Sequence, residues 1–179
     1  MKIVFLDFDG VLNTLHYTAT DEERESWSRE LWAAGELDPD MVVRLNEIVE
    51  TADASIVLST SWSHSSSNAV LASYLHLRGL KDPGRVIGSL PLMAIRTPRP
   101  GTQRAARNYK FTHPMAPNKS VKWNRLRCIL DYLDRVKPEA FVILEDAHPM
   151  GPLEDHTVRT NMATGLQSEH VEKALRLLG

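Results

Sequence analysis

A single cysteine, Cys128, stands in a chain of 179 residues. An internal disulfide framework is therefore excluded, and the place of this thiol in an apolar helical pattern reads as a buried core group rather than a reactive one. Long hydrophobic runs are missing too. No stretch approaches the length needed to span a bilayer, and Met1-Lys2 leads straight into strand-like residues without the apolar segment and small-residue cleavage site of a secretory signal. The expectation is a cytoplasmic protein with no membrane partner. Internal repeats and low-complexity tracts are absent, and the seven histidines show no ligand spacing. Net charge is also scarce, at a formal −2, but its distribution is uneven: from Arg96 to Arg127 there are nine Lys or Arg and no Asp or Glu. Such a run is either a solvated basic face or a local positive field for anionic substrates. What is plentiful is core material: 42% hydrophobic residues suffice for one domain spanning 1–179 without staples.

The opening stretch MKIVFLDFDGVLN carries the most information. Ile3 to Leu6 is β-branched and aromatic, as suits a strand buried on both faces. Residues two apart in an extended chain point the same way, so Asp7 and Asp9 converge on one patch just past the strand's end. Carboxylates held that close repel unless a cation neutralises them, and an oxygen-rich pocket of this kind suits Mg²⁺. An ordinary Asp-Gly turn after a strand is the plainer alternative.

Further along, Thr20 with Glu23 three positions on is a capping-box signature, which predicts a short helix over 20–32 carrying Trp27, Leu31 and Trp32. A helix is predicted from about Asp40 to Ala52, a buried strand over Ser55 to Thr60, a helix over 67–78 ending near Gly79, and a short strand over Arg85 to Ser89. Pro91 to Lys119 is rich in Pro, Arg and Thr with no clear period and reads as an irregular insertion. Order resumes with an amphipathic helix over Ser120 to Val136, a strand Phe141 to Leu144 running into Glu145 and Asp146, a strand near Thr157 to Thr160, and a helix over Ser168 to Leu178. Alternating strands and helices imply a parallel sheet in an α/β domain.

In such sheets ligands sit beyond the carboxyl ends of the strands. Three apolar strands here end in polar residues: Asp7 and Asp9; Ser59, Thr60 and Ser61; Glu145 and Asp146. The chemistry that suits acidic, hydroxyl and acidic endings is phosphoryl transfer, with one carboxylate attacking phosphorus and a second moving protons. Mg²⁺ offsets charge, while a hydroxyl and a cation grip the equatorial oxygens.

FLDFDGVLN, SIVLST and FVILED resemble the first, second and fourth motifs of the haloacid dehalogenase (HAD) superfamily of phosphohydrolases. More narrowly, IVLSTSW, RLRCILDYL, VILED and TVRTNMATGLQ are similar to the small HAD domain associated with Swiss-army-knife RNA-repair proteins. The resemblance implies a three-layer Rossmannoid sheet with a reduced cap, made of a flap at about 14–38 and the basic insertion at about 91–119. It implies that Asp7 is the nucleophile forming an aspartyl-phosphate. Asp9 would be the acid and then the base, also lending its backbone carbonyl to the metal. Glu145 and Asp146 would complete the Mg²⁺ site with Asp7 and Asp9. Glu145 replaces the commoner Asp, which leaves Asp146 the better ligand. Thr60 fits the second-motif hydroxyl, with the Ser61 amide beside it, and Ser59 takes that place if the strand's end shifts by one. Lys122 fits the third-motif cation, while Lys119 and Arg125 compete with it. His64 and His148 follow the second and fourth motifs and read as loop residues or as lining of the pocket, Trp27 and Trp32 as shields of the core or covers for a base, and Trp62 as either a stacking platform or a packing group.

A reduced cap and Arg96, Arg99, Arg104, Arg107 and Lys110 together point to a phosphorylated nucleotide or a nucleic-acid end as substrate. The RNA-repair resemblance adds a ligase or kinase as a partner. Two other readings stay open: a sugar-phosphate phosphatase whose insertion forms a lid, and a catalytically silent HAD-like module that holds RNA.

Overall fold

A computed structural model of the chain describes residues 1–15, 36–91 and 125–179. Five strands form one parallel sheet: β1 (Lys2–Leu6), β2 (Ala54–Leu58), β3 (Val86–Ser89), β4 (Ala140–Glu145) and β5 (Thr157–Arg159), in the order β3-β2-β1-β4-β5. The central strand β1 pairs with β2 and β4 in matching register, so that Leu6 lies opposite both Leu58 and Leu144. Buried on both faces, these strands are near-continuous apolar runs, as a covered parallel sheet requires.

The period of two divides the strand residues between two cores. Val4, Leu6, Ile56, Leu58, Val142, Leu144 and Val158 face α1 (Pro39–Thr51), α2 (Asn68–Leu77) and α4 (Ser168–Leu178). Ile3, Phe5, Val57 and Ile143 face α3 (Arg125–Val136) through Cys128, Ile129 and Leu130. Phe5 meets Tyr132 and Phe141 edge-on at 5.4 and 6.1 Å between centroids. The result is the three-layer α/β sandwich expected from the alternation of elements. Helix starts follow local chemistry: Asp38 caps α1 by accepting from the Asp40 N–H at 2.8 Å, with Pro39 in the first turn, and Ser67 caps α2.

Element boundaries differ from the sequence reading in two places that bear on function. Strand β2 ends at Leu58, two residues before Thr60, because Thr60 leaves the sheet to cap a short 3₁₀ turn, Ser61–His64. Glu145 is the last residue of β4 rather than the first beyond it. The predicted helix over 20–32 with Trp27 and Trp32, most of the flap, the basic insertion past Pro91, Lys119 and Lys122 lie outside the described residues. Among the described residues no helix is long and apolar enough to cross a membrane.

Phe5 is fully buried at the sheet's centre. Phe5→Ala is expected to cost about 3–5 kcal/mol in urea unfolding, the scale of an aromatic deletion from a packed core, whereas Val43→Ala, on a side chain 60% exposed, stays within about 0.5 kcal/mol of the parent.

Candidate active site

The matching register of β1 with both neighbours determines the site. Asp7 donates its backbone N–H to Leu144 O at 3.1 Å and Ser59 donates to Leu6 O at 2.7 Å, so Ser59, Asp7 and Glu145 form one row across three strands. By alternation all three side chains share the face of Ile3, Phe5, Val57 and Ile143, the α3 face. Asp7 and Glu145 are thereby buried side by side on strands about 4.8 Å apart, an arrangement that repels unless a cation intervenes. Arg125, in the first turn of α3, supplies it: one guanidinium nitrogen donates to Asp7 Oδ2 and to Glu145 Oε2, and all three side chains are at most 5% exposed. Burial nevertheless pushes the Asp7 carboxyl above the ordinary carboxylate range. Arg125 and the Phe8 N–H pull the other way, and neighbouring Asp9 adds to the rise.

Glu145 has both oxygens committed. Oε2 takes Arg125, and Oε1 accepts the N–H groups of Ala147 and His148 at 3.2 and 3.0 Å and the His148 Nδ1 at 3.0 Å. An imidazole nitrogen facing a carboxylate oxygen carries the proton, which leaves Nε2 with the lone pair. Burial, with Arg125 next in weight, lowers the His148 pKa below its usual value, consistent with a neutral ring. Asp146 is different: among the described residues no donor holds its carboxylate. Ligand atoms of Asp7, Glu145, Asp146 and His148 lie within 4.8 Å of one another, a donor set suited to a divalent cation. Among the described residues, four carboxyl groups, those of Asp7, Asp9, Glu145 and Asp146, are answered here by the single guanidinium of Arg125, a balance that also favours a cation.

Gly10 makes the approach of Asp146 possible. Its φ of +70° is a left-handed conformation, and a Cβ there would lie 2.6 Å from the Asp146 carboxylate carbon and oxygen. Thr160, just past β5, donates its hydroxyl to Gly10 O at 2.7 Å and ties this turn to the rest of the sheet. Asp9 is held from three sides: Oδ1 accepts Asn13 Nδ2 at 3.0 Å and Trp62 Nε1 at 3.2 Å, while among the described residues Oδ2 meets only the Ser61 hydroxyl, at 3.4 Å. Asp7, Asp9, Ser61, Arg125, Asp146, Ala147 and His148 line a pocket of about 420 Å³.

The structure thus brings together Asp7, Asp9, Ser61, Glu145 and Asp146 from the set expected on sequence. The side chain of Asp9 stands apart from the cation-suited cluster. Thr60 is fully buried, its hydroxyl accepting the Trp62 N–H at 3.4 Å, whereas the buried Ser59 hydroxyl has no hydrogen-bond partner among the described residues. Of the three competing cations, Arg125 occupies the site and the two lysines lie outside the described residues. Sequence reasoning set aside His148 as a loop residue and overlooked Asn13 and the indole N–H of Trp62. The FLDFDGVLN stretch does contain Asn13, four residues after Asp9, but its role depends on a turn closed by three N–H donors on Phe8 O.

A parallel sheet whose central strand ends in two acids, beside a strand ending in two more and a basic residue bridging them, defines the haloacid dehalogenase class. The profile of the HAD domain in Swiss Army Knife RNA repair proteins matches residues 3–171, and the chain belongs to that family. No curated protein and no solved structure matches it.

Two substitutions test the geometry. Gly10→Ala combines a strained φ, costing about 1–3 kcal/mol, with displacement of Asp146, so calorimetric titration with Mg²⁺ is expected to lose its binding heat even in the folded fraction. Arg125→Met leaves two adjacent buried carboxylates unpaired and is expected to lower unfolding free energy by about 3–5 kcal/mol in urea at neutral pH.

Proposed function

We propose that the chain is a Mg²⁺-dependent phosphatase that releases inorganic phosphate from phosphorylated nucleotides or nucleic-acid ends. The observation that carries this reading is the meeting of Asp7, Asp9, Asp146 and Arg125 around one pocket. Membership of the HAD family supports the phosphatase class. Asp7 and Asp146 would hold the ion, with Glu145 and His148 adjoining and the Asp9 backbone carbonyl completing the set that the family resemblance implies. When bound, Mg²⁺ offsets the charge of the carboxylates and of the incoming phosphate.

The remaining chemistry belongs to the side chains. An Asp7 carboxylate oxygen attacks phosphorus while the bond from phosphorus to the leaving oxygen breaks, and Asp9 passes a proton to that oxygen, releasing an alcohol and leaving an aspartyl-phosphate. Water then attacks phosphorus and gives its proton to Asp9. The bond to Asp7 breaks, and inorganic phosphate departs with both carboxyl groups restored. Oδ2 of Asp9 is the atom suited to this exchange, because Oδ1 is occupied by two N–H donors. Arg125 and Ser61 line the pocket where the phosphate oxygens would lie. For the second-motif hydroxyl we favour Ser59, which shares the row of Asp7 and whose oxygen has no partner among the described residues, over Thr60, whose hydroxyl caps the following turn. Lys122, together with the basic segment Arg96, Arg99, Arg104, Arg107 and Lys110, is assigned to phosphate and backbone contacts on its charge alone. A ligase or kinase acting on the same ends is the corresponding partner, an assignment that rests on the family's description.

Phosphate release from mononucleotides, short 3′- and 5′-phosphorylated oligonucleotides and sugar phosphates, measured with and without Mg²⁺, tests this assignment. Activity is expected to require Mg²⁺, to favour the nucleic-acid substrates and to fall by at least about 10³-fold in Asp7→Asn, the scale on which removal of a covalent nucleophile acts. Length-independent preference for sugar phosphates would overturn the substrate class. Oligonucleotide binding without turnover in any divalent metal would overturn the enzymatic reading.

A further inference from the structure

We propose that Trp62 is a positioning residue for proton transfer: with Asn13 its indole N–H occupies Oδ1 of Asp9, so that Oδ2 alone is presented to the leaving oxygen. This rests on Asp9 being the proton donor, as set out above, and extends it to a side chain that acts only through the Asp9 carboxylate.

The argument is one of donor chemistry and rigidity. An indole nitrogen only donates, and an amide NH₂ only donates, so an oxygen facing both is an acceptor and has no room for a proton of its own. Oδ2 meets a hydroxyl, at 3.4 Å, which turns to donate or accept as the carboxyl loses or regains its proton. Asp9 therefore exchanges protons at one oxygen without rotating. Trp62 can hold its side of this arrangement because its ring is not free. It is half-buried and packs on the main core, and it stands edge-on to the fully buried Phe8 at 5.3 Å and 76°. Its turn is anchored by the Thr60 cap at the end of β2. The two sequence-based readings, base stacking and plain packing, both leave the indole N–H without a task. The hydrogen bond at 3.2 Å shows that N–H aimed at Asp9, and the T-shaped contact with Phe8 packs the ring that carries it.

The test uses two substrates of the same shape, phenyl phosphate and p-nitrophenyl phosphate, which differ in how much the leaving oxygen needs a proton. Comparing kcat/KM for both in one preparation cancels any loss of folded protein and reports the step in which that oxygen departs. Trp62→Phe keeps an aromatic ring against Phe8 but removes the donor. It is expected to lower kcat/KM for phenyl phosphate by about tenfold or more, part of what general acid catalysis supplies, and for p-nitrophenyl phosphate by about twofold or less. Equal losses on both substrates, or no loss on either, overturn the positioning role. Asp9→Asn is the reference. If it also falls mainly on phenyl phosphate while Trp62→Phe does not, the Trp62 proposal alone fails. If Asp9→Asn depresses both substrates equally, the acid assignment fails and takes the proposal with it.

Discussion

Two carboxylates that ought to repel are held next to each other inside this protein, and the guanidinium between them organises what surrounds it. Parallel pairing of β1 with β4 puts Asp7 beside Glu145 on one face, where burial leaves little water to screen their charges. Arg125 bridges them from the first turn of α3, which anchors that helix at the same end of the sheet where the pocket opens. A buried ion pair adds little net stability once desolvation is counted, but losing one member leaves bare charge in the interior. Its value lies in placement. The triad sets the position of α3 and directs the Asp7 carboxylate.

Around that triad the acidic residues divide their duties by the donors that reach them. Glu145 is saturated by Arg125 and by the turn over 145–148, and so behaves as a fixed support for both. Asp146 has no donor among the described residues and faces the turn at Gly10, which lacks the Cβ that would collide with it. Asp9 has one oxygen occupied and one facing the pocket. Three nearby groups of the same chemical type thus have three different environments, and environment rather than residue type distinguishes the roles proposed for them, of support, cation ligand and proton carrier.

Much of the fold was legible in the chain because local pattern and tertiary arrangement agree. Apolar runs of five or six residues became the buried strands, α1 and α4 lie within a residue of their predicted bounds, and the strand endings met at one edge of the sheet as parallel α/β topology requires. The hydroxyl ending was harder to read. Apolar and hydroxyl residues continue through Ser59 and Thr60 without a break, and only the capping of the 3₁₀ turn by Thr60 ends the strand at Leu58. His148 was passed over for a related reason, since a lone histidine after a strand carries no spacing signal until Glu145 Oε1 is seen to orient its ring.

The order of residues by itself determined the paired acids two apart after a buried strand, the second acidic pair, and the hydroxyl run between them, because periodicity and composition are local properties. Tertiary structure alone decided that Arg125 sits between Asp7 and Glu145, that Asn13 and Trp62 converge on one oxygen of Asp9, and that Gly10 passes against Asp146. Those contacts join residues that are 118, 53 and four apart for the hydrogen-bonded pairs Arg125–Asp7, Trp62–Asp9 and Asn13–Asp9. The first two are set by strand register and by how helices and turns pack across the sheet, and no window of sequence carries that information.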